Sequence, residues 1–213
     1  MRTGIVLAGG RSSRFGSDKL AAQLDGRSLL AIAVDAVAPL VDGVLVAVSS
    51  LPEEFLAADV PVALIHDRDR FAGPLAGLAN VLGTAVDPDP VADLAIVVGG
   101  DMPRLVPAVL RSMLDRLAGD PTVDAVLLGR PPSIVDPEGG SPRPTVLPLA
   151  IRVRAAASAA AAALESGERS LRALVERLTH VEIASSEWLL LDPDATTLLD
   201  VDTAADLERI RCG

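Results

Sequence analysis

Apolar residues along this chain fall in short unbroken runs. Thr3–Ala8, Val44–Ser49, Val62–Ile65, Leu94–Val98 and Ala125–Leu128 are each rich in Val, Ile or Leu, without clean alternation. Strands covered on both faces read this way, as in a buried parallel sheet. Between them, Leu29–Leu40, Leu75–Val86 and Val106–Leu117 repeat their apolar positions at helical spacing. Strand and helix alternate through the first 130 residues. That order predicts an α/β fold, a single doubly wound and mostly parallel sheet with right-handed crossovers. The second half predicts an antiparallel addition: a strand over Thr145–Ile151, an alanine-dominated helix over Arg154–Leu164, a helix over Leu171–Leu178 and a short strand over Val181–Ala184. The last helix spans about Thr203–Arg211, with Thr203 as its N-cap and Asp206 at the capping-box position. Gly129–Pro144 holds five prolines and three glycines and reads as a loop or flap. No internal repeat or long linker interrupts residues 1–213, so a single domain is expected.

Composition narrows the picture. Half of the 213 residues are apolar, yet there are only three Phe, one Trp and no Tyr, so the core must be built from Val, Leu, Ile and Ala. A net charge of −10 argues against nucleic acid or an anionic membrane as partner. The single cysteine, Cys212, excludes an intrachain disulfide and a cysteine metal cage, which suits a reducing, cytoplasmic setting. No apolar run reaches transmembrane length, and the stretch Ile5–Ala8 is short for a signal peptide.

Against that acidic background, the cations that follow the first strand stand out. Residues 4–19 run from a short apolar strand into a loop with Gly9, Gly10 and Gly16, and with Arg11, Arg14 and Lys19. Glycines without a Cβ let backbone N–H groups approach a phosphate closely. The spacing fits neither G-x-x-x-x-G-K-[ST] nor G-x-G-x-x-G, because Gly10 and Gly16 are six apart and Lys19 follows Gly16 by three. A nucleotide-phosphate site is the leading reading, and an ordinary glycine turn with solvated cations is the alternative.

In such a sheet ligands bind beyond the carboxyl ends of the strands, and the other motifs fall there. Val97-Val98-Gly99-Gly100-Asp101-Met102-Pro103 presents a carboxylate at a strand tip, placed to hold Mg²⁺ against phosphates or to cap the next helix. Asp67-Arg68-Asp69-Arg70 precedes a Gly73-Pro74 turn whose N–H groups are expected to face the crevice. Asp67 could accept from a base with adjacent N–H donors, such as guanine, or belong to a solvated charge run. Asp200-Val201-Asp202 offers a second metal carboxylate or a cap, and Arg169 an anion contact or a surface turn. His66 and His180 lack metal-ligand spacing, and no Ser–His–Asp arrangement suggests itself. A phosphate cradle with metal carboxylates and no protein nucleophile is what phosphoryl or nucleotidyl transfer requires.

Leu7-Ala8-Gly9-Gly10-x-Ser12-x-Arg14-x-Gly16-x-Asp18-Lys19 resembles the signature of nucleotidyltransferases of the sugar-nucleotide and molybdenum-cofactor type. Gly73-Pro74-Leu75-Ala76-Gly77, Asp101-Met102-Pro103, Arg143-Pro144-Thr145 and Asp202-Thr203-x-x-Asp206-Leu207 match in the same order. The closest resemblance is to the molybdenum cofactor guanylyltransferases. It implies a Rossmann-like nucleotidyltransferase fold, with a nucleotide-binding part over about 1–130 and an acceptor-binding part over about 131–213. It further implies transfer of GMP from GTP to the terminal phosphate of molybdopterin, release of pyrophosphate, and Mg²⁺ as cofactor. A transient contact with a molybdoenzyme or cofactor-insertion protein follows from the same likeness. By resemblance, Leu7, Ala8 and Gly9 line the guanine and ribose, and Gly10, Arg14 and Lys19 hold the triphosphate. Asp67, Gly73 and Pro74 lie near the nucleoside, and Asp101 binds the metal with Asp202 as second carboxylate. Arg143 and Arg169 are the acceptor-site candidates by position. Two departures bear on the base. The second strand ends in Ala47 or Ser49 where guanylyltransferases often carry Asn, and Asp200-Val201-Asp202-Thr203 replaces the frequent Asn-Val-Asn-Thr, the aspartate form being common in the sister cytidylyltransferases. A transferase using CTP or a sugar phosphate, and a non-catalytic nucleotide-binding homologue, are the competing expectations.

Overall fold

The computed structural model describes residues 1–8, 21–48, 58–66, 73–86, 93–131 and 145–212. The chain runs β1 (Arg2–Ala8), β2 (Gln23–Leu24), β3 (Arg27–Ser28), α1 (Leu29–Val37), β4 (Gly43–Val48), β5 (Val62–His66), α2 (Pro74–Val86) and β6 (Leu94–Gly99). It continues through α3 (Pro107–Gly119), β7 (Ala125–Leu128), β8 (Thr145–Arg152), α4 (Val153–Glu165), α5 (Leu171–Val175), β9 (His180–Ile183), α6 (Ser185–Trp188) and α7 (Ala204–Cys212). A seven-stranded sheet has the order β5-β4-β1-β6-β8-β7-β9. Strand β1 pairs in parallel with β4 and β6, and β4 with β5. Strand β8 is antiparallel to β6 and β7, and β7 and β9 pair in parallel.

The unbroken apolar runs mean what their pattern predicts. Every residue of β6 is buried. Ile96 and Val98 pack with α1 and α3 on one face, while Ala95 and Val97 pack with α2, α4 and α5 on the other. The alanine-rich α4 buries Ala156, Ala160 and Ala163, a small-residue stripe on the face that carries α2 and α5. Among the described residues no helix is long and apolar enough to cross a membrane.

The structure departs from the sequence reading in local ways. Strand β7 is not hydrogen-bonded to β6, because β8 inserts between them. The stretch expected as one helix to Leu40 stops at Val37 and finishes as a 3₁₀ turn over Ala38–Leu40, where Pro39 has no N–H for a helical bond. Helix α5 ends at Val175, three residues short of the expected Leu178.

Two packing details lead to measurable expectations. A Cβ on Gly4 would lie 2.5 Å from Val37 Cγ1, so α1 sits on β1 closely enough to need glycine there. Gly4→Ala is expected to cost about 1–3 kcal/mol by overpacking, read as a fall in Tm; an unchanged Tm contradicts the close packing. The buried Asp192 carboxylate accepts from Thr196 N at 3.0 Å, Thr196 Oγ1 at 2.9 Å and Thr197 N at 2.7 Å. Burial pushes this carboxyl up, but the bonds from Thr197 and Thr196 outweigh it and hold it below its ordinary 3.8. A carboxylate depressed on folding stabilises above its unfolded pKa and loses that contribution as pH falls through its folded one. Asp192→Asn should therefore lower Tm at pH 7, and the gap to wild type should shrink below about pH 3.8. A gap that stays constant through acid titration contradicts this assignment.

Candidate functional site

From β1 the chain moves outward through β4 and β5, then returns to place β6 on the other side of β1. That reversal leaves a crevice at the carboxyl ends of β1 and β6. Strand β1 ends at this crevice with Ala8, the residue that precedes the glycine-rich segment in the sequence. The two strand ends are tied together, because Gly100 N–H donates to Leu7 O at 3.0 Å.

The turn after β6 is fixed from within. Met102 N–H donates to Gly99 O at 3.3 Å, and Gly99 N–H points at Met102 Sδ at 3.3 Å. A Cβ on Gly99 would collide with Asp101 Oδ1, so the carboxylate folds back over the bare Cα. Asp101 is half-buried. It does not cap the next helix: α3 begins six residues later at Pro107, with Val106 as its N-cap. That removes the capping alternative.

The C-terminal segment comes to the same place. Val201 N–H donates to Asp101 O at 2.9 Å, so the Asp200–Asp202 segment lies against Asp101. Val201 is fully buried and packs with Leu24, Leu29 and Leu207, joining the β2–β3 hairpin to α7. The expected capping box is present: Thr203 N–H donates to Asp206 Oδ2 at 2.7 Å, and Asp206 N–H to Thr203 Oγ1 at 3.2 Å. The Thr203 hydroxyl, with the N–H groups of Thr203 and Asp202, holds the Asp206 carboxyl below its ordinary value.

This donor set fits magnesium. The carboxylates of Asp101 and of the adjoining Asp200–Asp202 segment are hard oxygen donors, and the Gly99 cradle leaves the Asp101 carboxylate its position. Among the described residues no group of three or more His, Cys, Asp or Glu side chains is assembled for a metal. Magnesium needs no such cage, since it commonly takes one or two carboxylates plus substrate phosphates.

Gly73, Pro74 and Arg169 also meet, in an unexpected way. Gly73 has φ +96°, and a Cβ there would lie 3.0 Å from Arg169 O. Leu75 N–H donates to Arg169 O at 3.3 Å, and Ala76 and Gly77 N–H donate to Gly73 O at 3.2 and 3.4 Å. The amides expected to face the crevice at this turn are thus engaged inside the chain, because a helix start must satisfy its orphan donors. The Arg169 guanidinium donates to Glu168 O at 2.8 Å, in the turn after α4, and to Leu164 O at 3.4 Å, in the last turn of α4.

Leu7 is partly exposed and Ala8 buried at the end of β1. Gly9, Gly10, Arg14, Lys19, Asp67 and Arg143 lie outside the described residues, as does Ser49. Ala47 is buried against α2 and offers no side chain to a ligand. Sequence reasoning missed two contributors. Gly99 was read only as one of the two glycines that precede Asp101, and nothing in one sequence shows that its missing Cβ leaves room for that carboxylate. Asn80 Nδ2 donates to His66 O at 2.6 Å and ties the end of β5 to α2.

The sequence model of the MobA-like NTP transferase domain matches residues 4–182. A probable molybdenum cofactor guanylyltransferase of Chloroflexus aggregans is 34% identical over 99% of this chain and 94% of its own length. The molybdopterin-guanine dinucleotide biosynthesis protein A of Archaeoglobus fulgidus superposes with a TM-score of 0.74 at 21% identity, covering 99% of this chain and 97% of that one. The 4-diphosphocytidyl-2C-methyl-D-erythritol synthase of Anaerococcus prevotii has the same fold, with a TM-score of 0.74 at 14% identity over 100% of this chain and 95% of that one.

Proposed function

The chain belongs to the MobA-like NTP transferase family and is a nucleotidyltransferase, and from that premise we propose that it transfers GMP from GTP to the terminal phosphate of molybdopterin and releases pyrophosphate. The observation that carries the reading is the junction at the sheet's reversal point, where Gly100 bonds Leu7 and Val201 bonds Asp101. It brings the Asp101 turn beside the end of β1, the strand that the glycine-rich segment follows in the sequence. The relative named as a guanylyltransferase over nearly the whole chain supports GTP as the donor.

In this reading Leu7, Ala8 and Gly9 line the nucleoside, with Asp67, Gly73 and Pro74 nearby. Gly10, Arg14 and Lys19 hold the triphosphate, and Lys19 offsets charge that builds on the departing pyrophosphate. The attacking group is a phosphate oxygen of the acceptor. Its bond to the α-phosphorus forms as the bond from that phosphorus to the β-bridging oxygen breaks, and pyrophosphate carries off the electron pair. The nucleophile is already an anion, so no protein base is required, in keeping with the histidines. His66 is at the carboxyl end of β5 and His180 at the start of β9. Mg²⁺ bound by Asp101, with Asp202 as second carboxylate, would neutralise phosphate charge. Residues from about 131 onward would take the acceptor, with Arg143 and Arg169 as candidates. The setting proposed is the cytoplasm.

A second reading, with CTP as donor, is favoured by the aspartates at positions 200 and 202. Pyrophosphate release measured with each NTP, Mg²⁺ and molybdopterin separates the two. Release is expected with GTP; release with CTP and none with GTP would overturn the choice of base.

A further inference from the structure

We propose that Asp206 is a positioning residue of the metal site, acting on Asp101 through the segment between them; this rests on Asp101 being the metal carboxylate. Asp206 sits in the first turn of α7, and among the described residues its own bonds do not reach the β1–β6 crevice. Its Oδ2 accepts from Asp202 N at 3.1 Å, Thr203 N at 2.7 Å and Thr203 Oγ1 at 2.8 Å. A helix cap alone needs one such bond. Here two consecutive amides and a hydroxyl converge on a single oxygen, which fixes the backbone of residues 202 and 203. The next amide inward, Val201 N–H, holds Asp101 O at 2.9 Å. The Val201 side chain is locked in a small core with Leu24, Leu29 and Leu207. Asp206, the 201–203 backbone and Asp101 therefore form one mechanical unit. Loss of the Asp206 carboxylate frees the amides of 202 and 203 and loosens the Val201 bond that braces Asp101 from the C-terminal side. The other Asp206 oxygen pairs with Arg209, whose side chain is 78% exposed and carries little of this constraint.

The test uses the full chain with GTP and no acceptor, and Mn²⁺ as the probe, its binding followed by electron paramagnetic resonance. Asp206→Ala is expected to weaken Mn²⁺ binding about tenfold, as loss of a group that orients a ligand commonly does. With acceptor and Mg²⁺ it should lower kcat while KM for GTP stays within about threefold. Asp206→Asn keeps a neutral carbonyl acceptor and should fall between wild type and Asp206→Ala, with about a threefold loss. Arg209→Ala should leave Mn²⁺ binding unchanged. If Asp206→Ala lowers Tm yet binds Mn²⁺ like wild type while Asp101→Ala does not, Asp206 is a helix cap only and the proposal fails. Should Asp206→Ala not fold, wild-type Mn²⁺ affinity in Asp206→Asn overturns it. Unchanged Mn²⁺ binding in Asp101→Ala instead refutes the metal assignment itself.

Discussion

Asp101→Ala is expected to lower kcat for guanylyl transfer by about a hundredfold or more, which corresponds to roughly 2.7 kcal/mol of lost transition-state stabilisation. The carboxylate stands at the tip of a fully buried strand, at the point where the strand order reverses. Its backbone is held by Val201, and the bare Gly99 leaves room for its side chain. The substitution leaves the Val201 bond to the main-chain oxygen in place, so Tm should change little. Steady-state pyrophosphate release at saturating Mg²⁺ measures the effect, and a loss below about threefold contradicts the assignment.

The second large effect is expected at Lys19. Its segment leaves β1 at Ala8, beside the Asp101 turn, and its charge would meet the phosphates as negative charge shifts to the leaving group. Loss of one such stabilising group commonly costs about 10²–10³ in kcat. Lys19→Ala should show that loss in a single-turnover experiment with GTP and acceptor premixed, with KM for molybdopterin little changed. Lys19→Arg should recover part of the rate. A single-turnover rate equal to wild type contradicts the charge-neutralising role.

Much of the sheet was legible because both of its faces are covered. In β6, alternate side chains enter two different cores, so all six positions are buried and the sequence shows one apolar run. The β2–β3 hairpin was missed because strands of two residues have no room for periodicity. Its turn signal was present all the same: Asp25 and Gly26 both have positive φ, the Asp-Gly preference of a tight hairpin. The insertion of β8 between β6 and β7 was not readable, since strand order depends on which edge the returning chain meets. At the site, the types and order of residues could be read, but their coupling could not. The bond from Val201 to Asp101 spans a hundred positions and leaves no trace in local pattern. The amides at Gly73 were misread because the partner that satisfies Leu75 N–H is the carbonyl of Arg169, far along the chain.

The proposed reaction leaves the nucleotide's α-phosphate, with its guanosine, on molybdopterin. The measurement is to incubate the protein with molybdopterin and Mg²⁺ and with either GTP or CTP labelled at the α-phosphorus, then to identify the labelled product. Label from GTP is expected in a molybdopterin–guanine dinucleotide, formed in step with pyrophosphate. Label passing to molybdopterin from CTP and not from GTP, or from neither nucleotide, would contradict it.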